Sequence, residues 1–131
     1  MKFLLDTNVC VRYLTGRSLK IKARFELEAG NFCLCAPVKA ELLAGAYKSA
    51  RVEENLHTLD IFFSGIPSLP FDDAVADHYG QIRAVLQSAG TPIGPIDLLI
   101  AAIARANALI LVTHNTGEFN RVAGLNLEDW E

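Results

Sequence analysis

The sequence predicts an α/β fold with three layers, in which a central, mainly parallel sheet of four or five strands is covered by helices on both faces. Short apolar runs alternate along the chain with longer segments of helical period, which is the order expected for parallel strands joined by crossover helices. The chain has 131 residues, 51% of them hydrophobic, and this size suits one compact domain around one core. We therefore expect a single domain over residues 1–131.

The individual elements follow from the hydrophobic pattern. Four strands are predicted at residues 3–5, 32–36, 68–71 and 109–112, and a fifth if the short run 125–127 also joins the sheet. Helices are predicted at residues 9–14, 19–28, 38–47, 53–63 and 74–88. A last helix is expected to begin at Gly94-Pro95, with proline at its first position, and to continue to about Asn107.

Composition narrows the class of protein. The N-terminal apolar run is too short for a signal peptide, and no apolar stretch reaches the length of a membrane span, so we expect a cytoplasmic protein. Cys10, Cys33 and Cys35 are odd in number and lack the spacing of zinc or redox motifs, which favours a role as small core residues.

Basic residues are concentrated near the N-terminus, although the net charge is −3. The thirteen residues from 12 to 24 contain five basic side chains and no acid: Arg12, Arg17, Lys20, Lys22 and Arg24. Such a cluster can bind an RNA phosphate backbone, but a solvated helix face has the same pattern.

Acidic residues follow the predicted strands. Asp6 ends the first strand, within a Leu-Leu-Asp-Thr-Asn segment that also suits a helix cap. Glu41 lies in the helix after the second strand, and Asp97 lies in the first turn of the helix that begins at Pro95, where a carboxylate also stabilises the helix dipole. Asn115 and His114 follow the fourth strand, and the isolated histidine is expected at the surface.

The joint placement of these residues is more informative than any one of them. The carboxyl ends of parallel strands form the edge of the sheet where ligands bind, so Asp6, Glu41, Asp97 and Asn115 are expected to converge there. A set of oxygen ligands without histidine or cysteine suits Mg²⁺ or Mn²⁺. Together these features indicate a phosphodiester hydrolase.

Four segments, in this order and at this spacing, resemble the VapC toxins of the PIN-domain family. They are Leu-Leu-Asp-Thr-Asn at 4–8, Ala-Glu-Leu at 40–42, Pro-Ile-Gly-Pro-Ile-Asp at 92–97, and Leu-Val-Thr-His-Asn at 111–115 followed by Glu-Phe at 118–119. The likeness extends to the closing Glu-Asp-Trp at 128–130 and so covers nearly the whole chain.

The resemblance implies a PIN-like fold and a Mg²⁺-dependent endoribonuclease, usually a homodimer, that a VapB-type antitoxin inhibits. Asp6, Glu41 and Asp97 map onto the family's acids, with Asp6 and Asp97 as metal ligands. The 92–97 segment and the tail are similar to VapC proteins that cleave initiator tRNA in the anticodon loop. Many PIN domains carry a fourth acid where this chain has Asn115, with Glu118 three residues on, so the number of metals stays open.

Three other interpretations fit parts of the sequence. A receiver-type phosphorylation domain would use an acidic pair such as Asp72-Asp73, but that pair suits a helix cap. A haloacid-dehalogenase-type phosphatase would carry an aspartate where Asn8 stands. A catalytically silent PIN-like module that binds RNA or protein is the third, and it would show no metal-dependent cleavage.

Overall fold

A computed structural model describes all 131 residues. The elements alternate as β1 Phe3–Leu5, α1 Thr7–Leu14, α2 Leu19–Leu27, β2 Phe32–Cys35, α3 Ala36–Lys48, α4 Val52–Phe63, β3 Ser68–Leu69, α5 Asp73–Ala89, α6 Pro95–Ala106, β4 Ile110–Val112, α7 Thr116–Phe119 and β5 Asn126–Glu128. No helix combines the length and the apolar character that crossing a membrane requires.

The five strands form one sheet in the order β3-β2-β1-β4-β5, and every pairing is parallel. The register places Leu5 of β1 beside Val112 of β4, and Val112 beside Glu128 of β5. This sheet confirms the predicted parallel α/β fold. Its fifth strand, β5, corresponds to the short run at 125–127, which the sequence offers as an optional strand of the sheet. Because β1 and β4 are neighbours, the residues that follow them meet at one edge.

Helices flank the sheet and exclude water from its centre. Every residue of β1 and β2 is buried, as expected for strands that are covered on both faces. Helix α6 packs against β4, α3 and α5, and its residues from Ile100 to Ala104 are completely buried. The three cysteines are buried and free, as predicted, and burial raises the pKa of the Cys33 thiol to about 11.

Every predicted helix and strand is present, with bounds that differ from the predicted ones by no more than about two residues. Ala36 begins α3 instead of ending β2, because Pro37 suits the first turn of a helix and has no N–H for a strand. Strand β3 ends at Leu69, and β5 is shifted one residue along the chain. The short helix α7 was not predicted, since four residues are too few for a hydrophobic period.

Two helix ends form as their sequences indicate. Asp72 caps α5 by accepting a hydrogen bond from the Val75 N–H at 3.0 Å, which agrees with the capping role expected of the acidic pair. The same helix ends at Gly90, whose φ of 70° lies in the left-handed region that glycine adopts without strain. The loop from Gly90 then leads to Gly94 and to α6.

Candidate active site

A cleft of about 440 Å³ opens at the carboxyl ends of β1 and β4. Its walls come from the turn into α1, from α1 itself, from the loop after β4 and from the C-terminal residue. The lining residues are Asp6, Asn8, Val11, Arg12, Thr15, Arg17, Thr113, His114, Asn115 and Glu131. This is the edge of the sheet at which the sequence predicted a site.

Asp6 is a buried carboxylate at the floor of the cleft, with 5% of its surface exposed. Its Oδ1 accepts from the Thr7 N–H at 2.8 Å, and its Oδ2 accepts from Thr113 Oγ1 at 2.8 Å. Burial raises its pKa, with smaller contributions from the charges of Glu41 and Glu118, while the two hydrogen bonds oppose the rise. Asp6 therefore caps α1, as its segment suggested, and also lines the cleft.

A hydrogen bond from Thr7 links Glu41 to the segment that contains Asp6. Glu41 Oε1 accepts a hydrogen bond of 2.5 Å from Thr7 Oγ1, the residue that follows Asp6 and begins α1. Glu41 lies beyond the first turn of α3, which contains no acid, so the helix dipole does not account for its position. A contact between residues 34 positions apart thus joins the first and second predicted acids.

Asp97 lies in the first turn of α6 and faces the same group of carboxylates. Its pKa is raised to about 6, first by burial and then by repulsion from Asp6, Glu118 and Glu41. A first-turn acid that served only the helix dipole would be stabilised in its charged form. The raised pKa instead reflects the burial of this carboxylate and, after it, the nearby charges of three other acids.

Glu118 is a member of this group to which the sequence assigned no role. Its Oε1 accepts from the Gly94 N–H at 2.8 Å and its Oε2 accepts from Asn115 Nδ2 at 3.0 Å. These bonds, Asn115 first, lower the pKa of Glu118 and keep it charged. Glu118 thereby connects α7 to the turn that precedes Asp97. The signal in the sequence was an acid three residues after Asn115, in a helix too short to be predicted.

Thr113 was also overlooked, and it is one of only two buried polar residues in the chain. Besides donating to Asp6, its Oγ1 accepts from the Asn115 N–H at 3.0 Å. Thr113 thus fixes Asp6 and the backbone of Asn115 together. The sequence feature that could have identified Thr113 is its position as a polar residue directly after a buried strand.

The five basic residues of the predicted cluster have three different surroundings in the structure. Arg12 and Arg17 line the cleft, although Arg12 is also paired with Glu131. Arg24 pairs with Glu128 and stacks its guanidinium 4.9 Å from the ring centre of Trp130, so it helps to hold the C-terminal tail. Lys20 and Lys22 are exposed and form no ion pair.

The structure therefore brings the carboxylates of Asp6, Glu41 and Asp97 within electrostatic range of one another, and Glu118 joins Asn115 to them. Asp6 and Asn115 line the cleft, whereas Glu41 and Asp97 lie beside it. Four carboxylates with an amide and two threonine hydroxyls make an oxygen-rich set of donors that suits a hard divalent cation. None of the four carboxylates forms an ion pair with a basic side chain of the chain.

Comparison with known proteins gives a consistent result. The PIN domain family model matches residues 3–125. The chain is 45% identical over 130 residues to the tRNA(fMet)-specific endonuclease VapC of Shigella flexneri, covering 99% of this chain and 98% of that protein. It is 38% identical over 133 residues to Ribonuclease VapC2 of Rickettsia felis, covering 100% and 99%.

Solved structures agree with these relatives. A chain of the DNA-bound VapBC structure of Salmonella typhimurium superimposes with a TM-score of 0.95 at 40% identity, covering 100% of this chain and 99% of that one. VapBC2 of Rickettsia felis, bound to a DNA fragment from its promoter, gives a TM-score of 0.94 at 38% identity over the whole of both chains. The fold, the order of the acidic segments and these full-length likenesses agree: the chain belongs to the PIN-domain family, in its VapC group.

Proposed function

We propose that this protein is a metal-dependent endoribonuclease and the toxin of a VapBC-type toxin–antitoxin pair. The relatives named above are ribonucleases, and the solved structures that it resembles are VapBC complexes. One observation in this chain carries the proposal. The carboxylates of Asp6, Glu41 and Asp97, from three separate elements, lie close together without a basic partner, and the charge of Glu41 adds to burial in raising the pKa of both Asp6 and Asp97.

The donor set fits Mg²⁺, and Mn²⁺ is expected to substitute for it. Asp6 and Asp97 would hold the cation, since both face the group of acids and both have raised pKa values that a nearby cation would reverse. When bound, Mg²⁺ would supply Lewis-acid stabilisation of charge on the phosphate and a more acidic water. Glu118 and Asn115 offer further oxygen donors for a second cation beside the first.

The surrounding side chains have separate tasks in this proposal. Thr113 holds Asp6 by its Oδ2, and Thr7 holds Glu41, so both carboxylates are oriented before any ligand arrives. Glu118 fixes the Gly94 turn and with it the start of α6, where Asp97 stands. Glu41 is exposed at the edge of the group and is suited to accept a proton from the attacking water.

The substrate is RNA in this proposal, and more narrowly the anticodon loop of initiator tRNA. Support comes from two relatives, of Shigella flexneri and Salmonella typhimurium, that are named as tRNA(fMet)-specific endonucleases at 45% and 41% identity. Arg17 at the rim of the cleft, with Lys20 and Lys22 beyond it, would contact phosphates. Arg24 is paired with Glu128 of the tail and would contribute less to RNA binding.

The partners are a VapB-type antitoxin and a second copy of the chain. An antitoxin that silences the enzyme can do so by placing a basic side chain among the unpaired carboxylates, within reach of Asp6 or Asp97. A complex that is inhibited while this pocket stays open to solvent would contradict that part of the proposal.

The test is cleavage of initiator tRNA by purified protein, with elongator methionine tRNA as the comparison. We expect cleavage with Mg²⁺ or Mn²⁺ and none in EDTA. Asp6→Asn, Asp97→Asn and Glu41→Gln should each lower the rate by about 100-fold or more. Asp77→Asn, which removes an exposed acid of α5 outside the cleft, should leave the rate unchanged.

Two results would change the conclusion in different ways. Undiminished cleavage in EDTA, or in the Asp97→Asn protein, would reject the metal-dependent enzyme. Tight RNA binding without cleavage under any metal would instead establish the alternative, a catalytically silent PIN-like binding module.

A further inference from the structure

A second group of metal-ligating side chains lies where the C-terminal tail meets the end of β4. Strands β4 and β5 are paired so that Val112 lies beside Glu128. His114 follows β4 by two residues and Asp129 follows β5 by one, and His114 Nδ1 lies 3.0 Å from Asp129 Oδ2, with Glu131 two residues further along the tail. The ligand atoms of these three side chains all lie within 4.8 Å of one another.

The imidazole of His114 meets two carboxylates through one nitrogen. Its Nδ1 lies 3.0 Å from Asp129 Oδ2 and 3.0 Å from Glu131 Oε2. A ring nitrogen carries at most one proton, so it cannot donate a full hydrogen bond to both oxygens. A cation between the three atoms would satisfy both carboxylates at once.

Both carboxylates are already held by their other oxygens. Asp129 Oδ1 accepts from the Glu131 N–H at 3.0 Å. Glu131 Oε1 is paired with the Arg12 guanidinium, which leaves Oε2 for His114. Outer partners of this kind orient the ligands in metal sites and fix which atom faces the ion.

We propose that His114, Asp129 and Glu131 form a second cation site, for a borderline divalent metal of the Zn²⁺ class. One imidazole with two carboxylates suits Zn²⁺, whereas the oxygen-only group around Asp97 suits Mg²⁺. Zinc bonds of about 2.0–2.2 Å place tetrahedral ligand atoms roughly 3.3–3.5 Å apart. The two separations of 3.0 Å from Nδ1 therefore need to widen by a few tenths of an ångström, while the two carboxylates, within 4.8 Å of each other, move to the same spacing.

The site has room for this adjustment and an open approach. The His114 side chain is 68% exposed, so its ring can turn without disturbing the core. His114 and Glu131 line the same cleft as Asp6, and water can complete the coordination from that side. An ion held there would join the C-terminal tail to the loop after β4 and stabilise the folded state.

Zinc binding to metal-free protein tests the proposal, with isothermal titration calorimetry and thermal melts at pH 7.5 as the readouts. All variants carry Asp97→Asn, which weakens the carboxylate group as a competing site and makes the result independent of ribonuclease activity. The protein with Asp97→Asn alone should bind one Zn²⁺ and melt at a higher temperature with Zn²⁺, and millimolar Mg²⁺ should not displace it.

Adding His114→Ala should weaken Zn²⁺ binding by at least about tenfold and remove the thermal shift, and adding Glu131→Gln should weaken it as well. His57→Ala, which removes an exposed histidine of α4, is the matched control and should change neither readout. Equal Zn²⁺ affinity with and without His114, or no Zn²⁺ binding by the Asp97→Asn protein, would overturn the proposal.

Discussion

The acidic pocket, which consists of the side chains of four acids near the ends of β1 and β4, differs from the C-terminal tail, residues 128–131, in how its charged side chains are paired. In the pocket, the four carboxylates of Asp6, Glu41, Asp97 and Glu118 gather without an ion-paired basic side chain. In the tail, Glu128 pairs with Arg24 and Glu131 pairs with Arg12. The tail's ion pairs join α1 and α2 to the C-terminal residues, whereas repulsion within the pocket contributes to the raised pKa values of Asp6 and Asp97. The ion pairs of the tail therefore stabilise the fold, whereas the mutual repulsion of the pocket carboxylates lowers its stability.

Removing the aromatic anchor of the tail should have the largest effect. Trp130 is 3% exposed and makes edge-on contacts with Phe3, at 5.2 Å between ring centres, and with Phe25, at 5.9 Å. Trp130→Ala should lower the free energy of unfolding by about 3–5 kcal/mol, measured by urea denaturation. Tyr47→Ala, at a residue that is 64% exposed, is the control and should change it by less than about 0.5 kcal/mol. Similar losses in the two variants would mean that the tail does not anchor the fold.

Removing one charge from the acidic pocket should raise the free energy of unfolding of the metal-free protein. The pKa of Asp97 is raised to about 6 from an ordinary 3.8, so the metal-free folded state holds this proton more tightly than the unfolded chain does. Its contribution to stability is therefore complete below about pH 4 and is lost as the pH rises through about 6. At pH 7.5, Asp97→Asn should stabilise the metal-free protein by roughly 1–2 kcal/mol, after allowance for the partial exposure of the group.

The pH profile separates this prediction from a helix-dipole role. Melts between pH 4 and 8 should show a flatter stability curve for Asp97→Asn than for the wild type, together with loss of most stabilisation by Mg²⁺. A lower melting temperature at pH 7.5 with an unchanged Mg²⁺ response would remove Asp97 from the site.

Breaking one charge pair of the tail should have a smaller effect than removing the tryptophan. Glu128 accepts from Arg24 and from Trp130 Nε1, the latter at 3.0 Å. Glu128→Gln should lower the free energy of unfolding by about 1 kcal/mol, because an amide still accepts hydrogen bonds but loses the ionic attraction. The loss should shrink in 1 M NaCl, and a salt-independent loss would assign it to packing instead.

The basic residues of the N-terminal cluster that form no ion pair should have the smallest effect on the free energy of unfolding. Replacing Arg17, Lys20 and Lys22 together with glutamine should change the free energy of unfolding by less than about 0.5 kcal/mol, since all three are exposed. It should weaken RNA binding and reduce the slope of log affinity against log salt by up to about 2–3. An unchanged slope would identify these side chains as a solvated face.

The order of elements could be predicted from the sequence because hydrophobic period is a local property. Residues 3–5, 32–35 and 110–112 are continuous apolar runs, and the parallel sheet buries all of them except Ile110, which is half-buried. The same pattern placed Asp6, Asp97 and Asn115 after strands or at a helix start. Helix α7 and the full role of Glu118 escaped prediction, because four residues carry no period and a lone acid in a loop is common.

The sequence by itself determined the α/β class, the strands and helices, and which polar residues follow a strand. Only the tertiary structure decided which of these residues meet. Thr113 reaches Asp6 across 107 positions, Arg24 reaches Glu128 across 104, and Glu118 reaches Gly94 across 24. These contacts depend on β4 lying between β1 and β5, and strand order is set by the packing of the whole core. The tail could therefore be recognised as a charged segment, but its pairing with α1 and α2 could not.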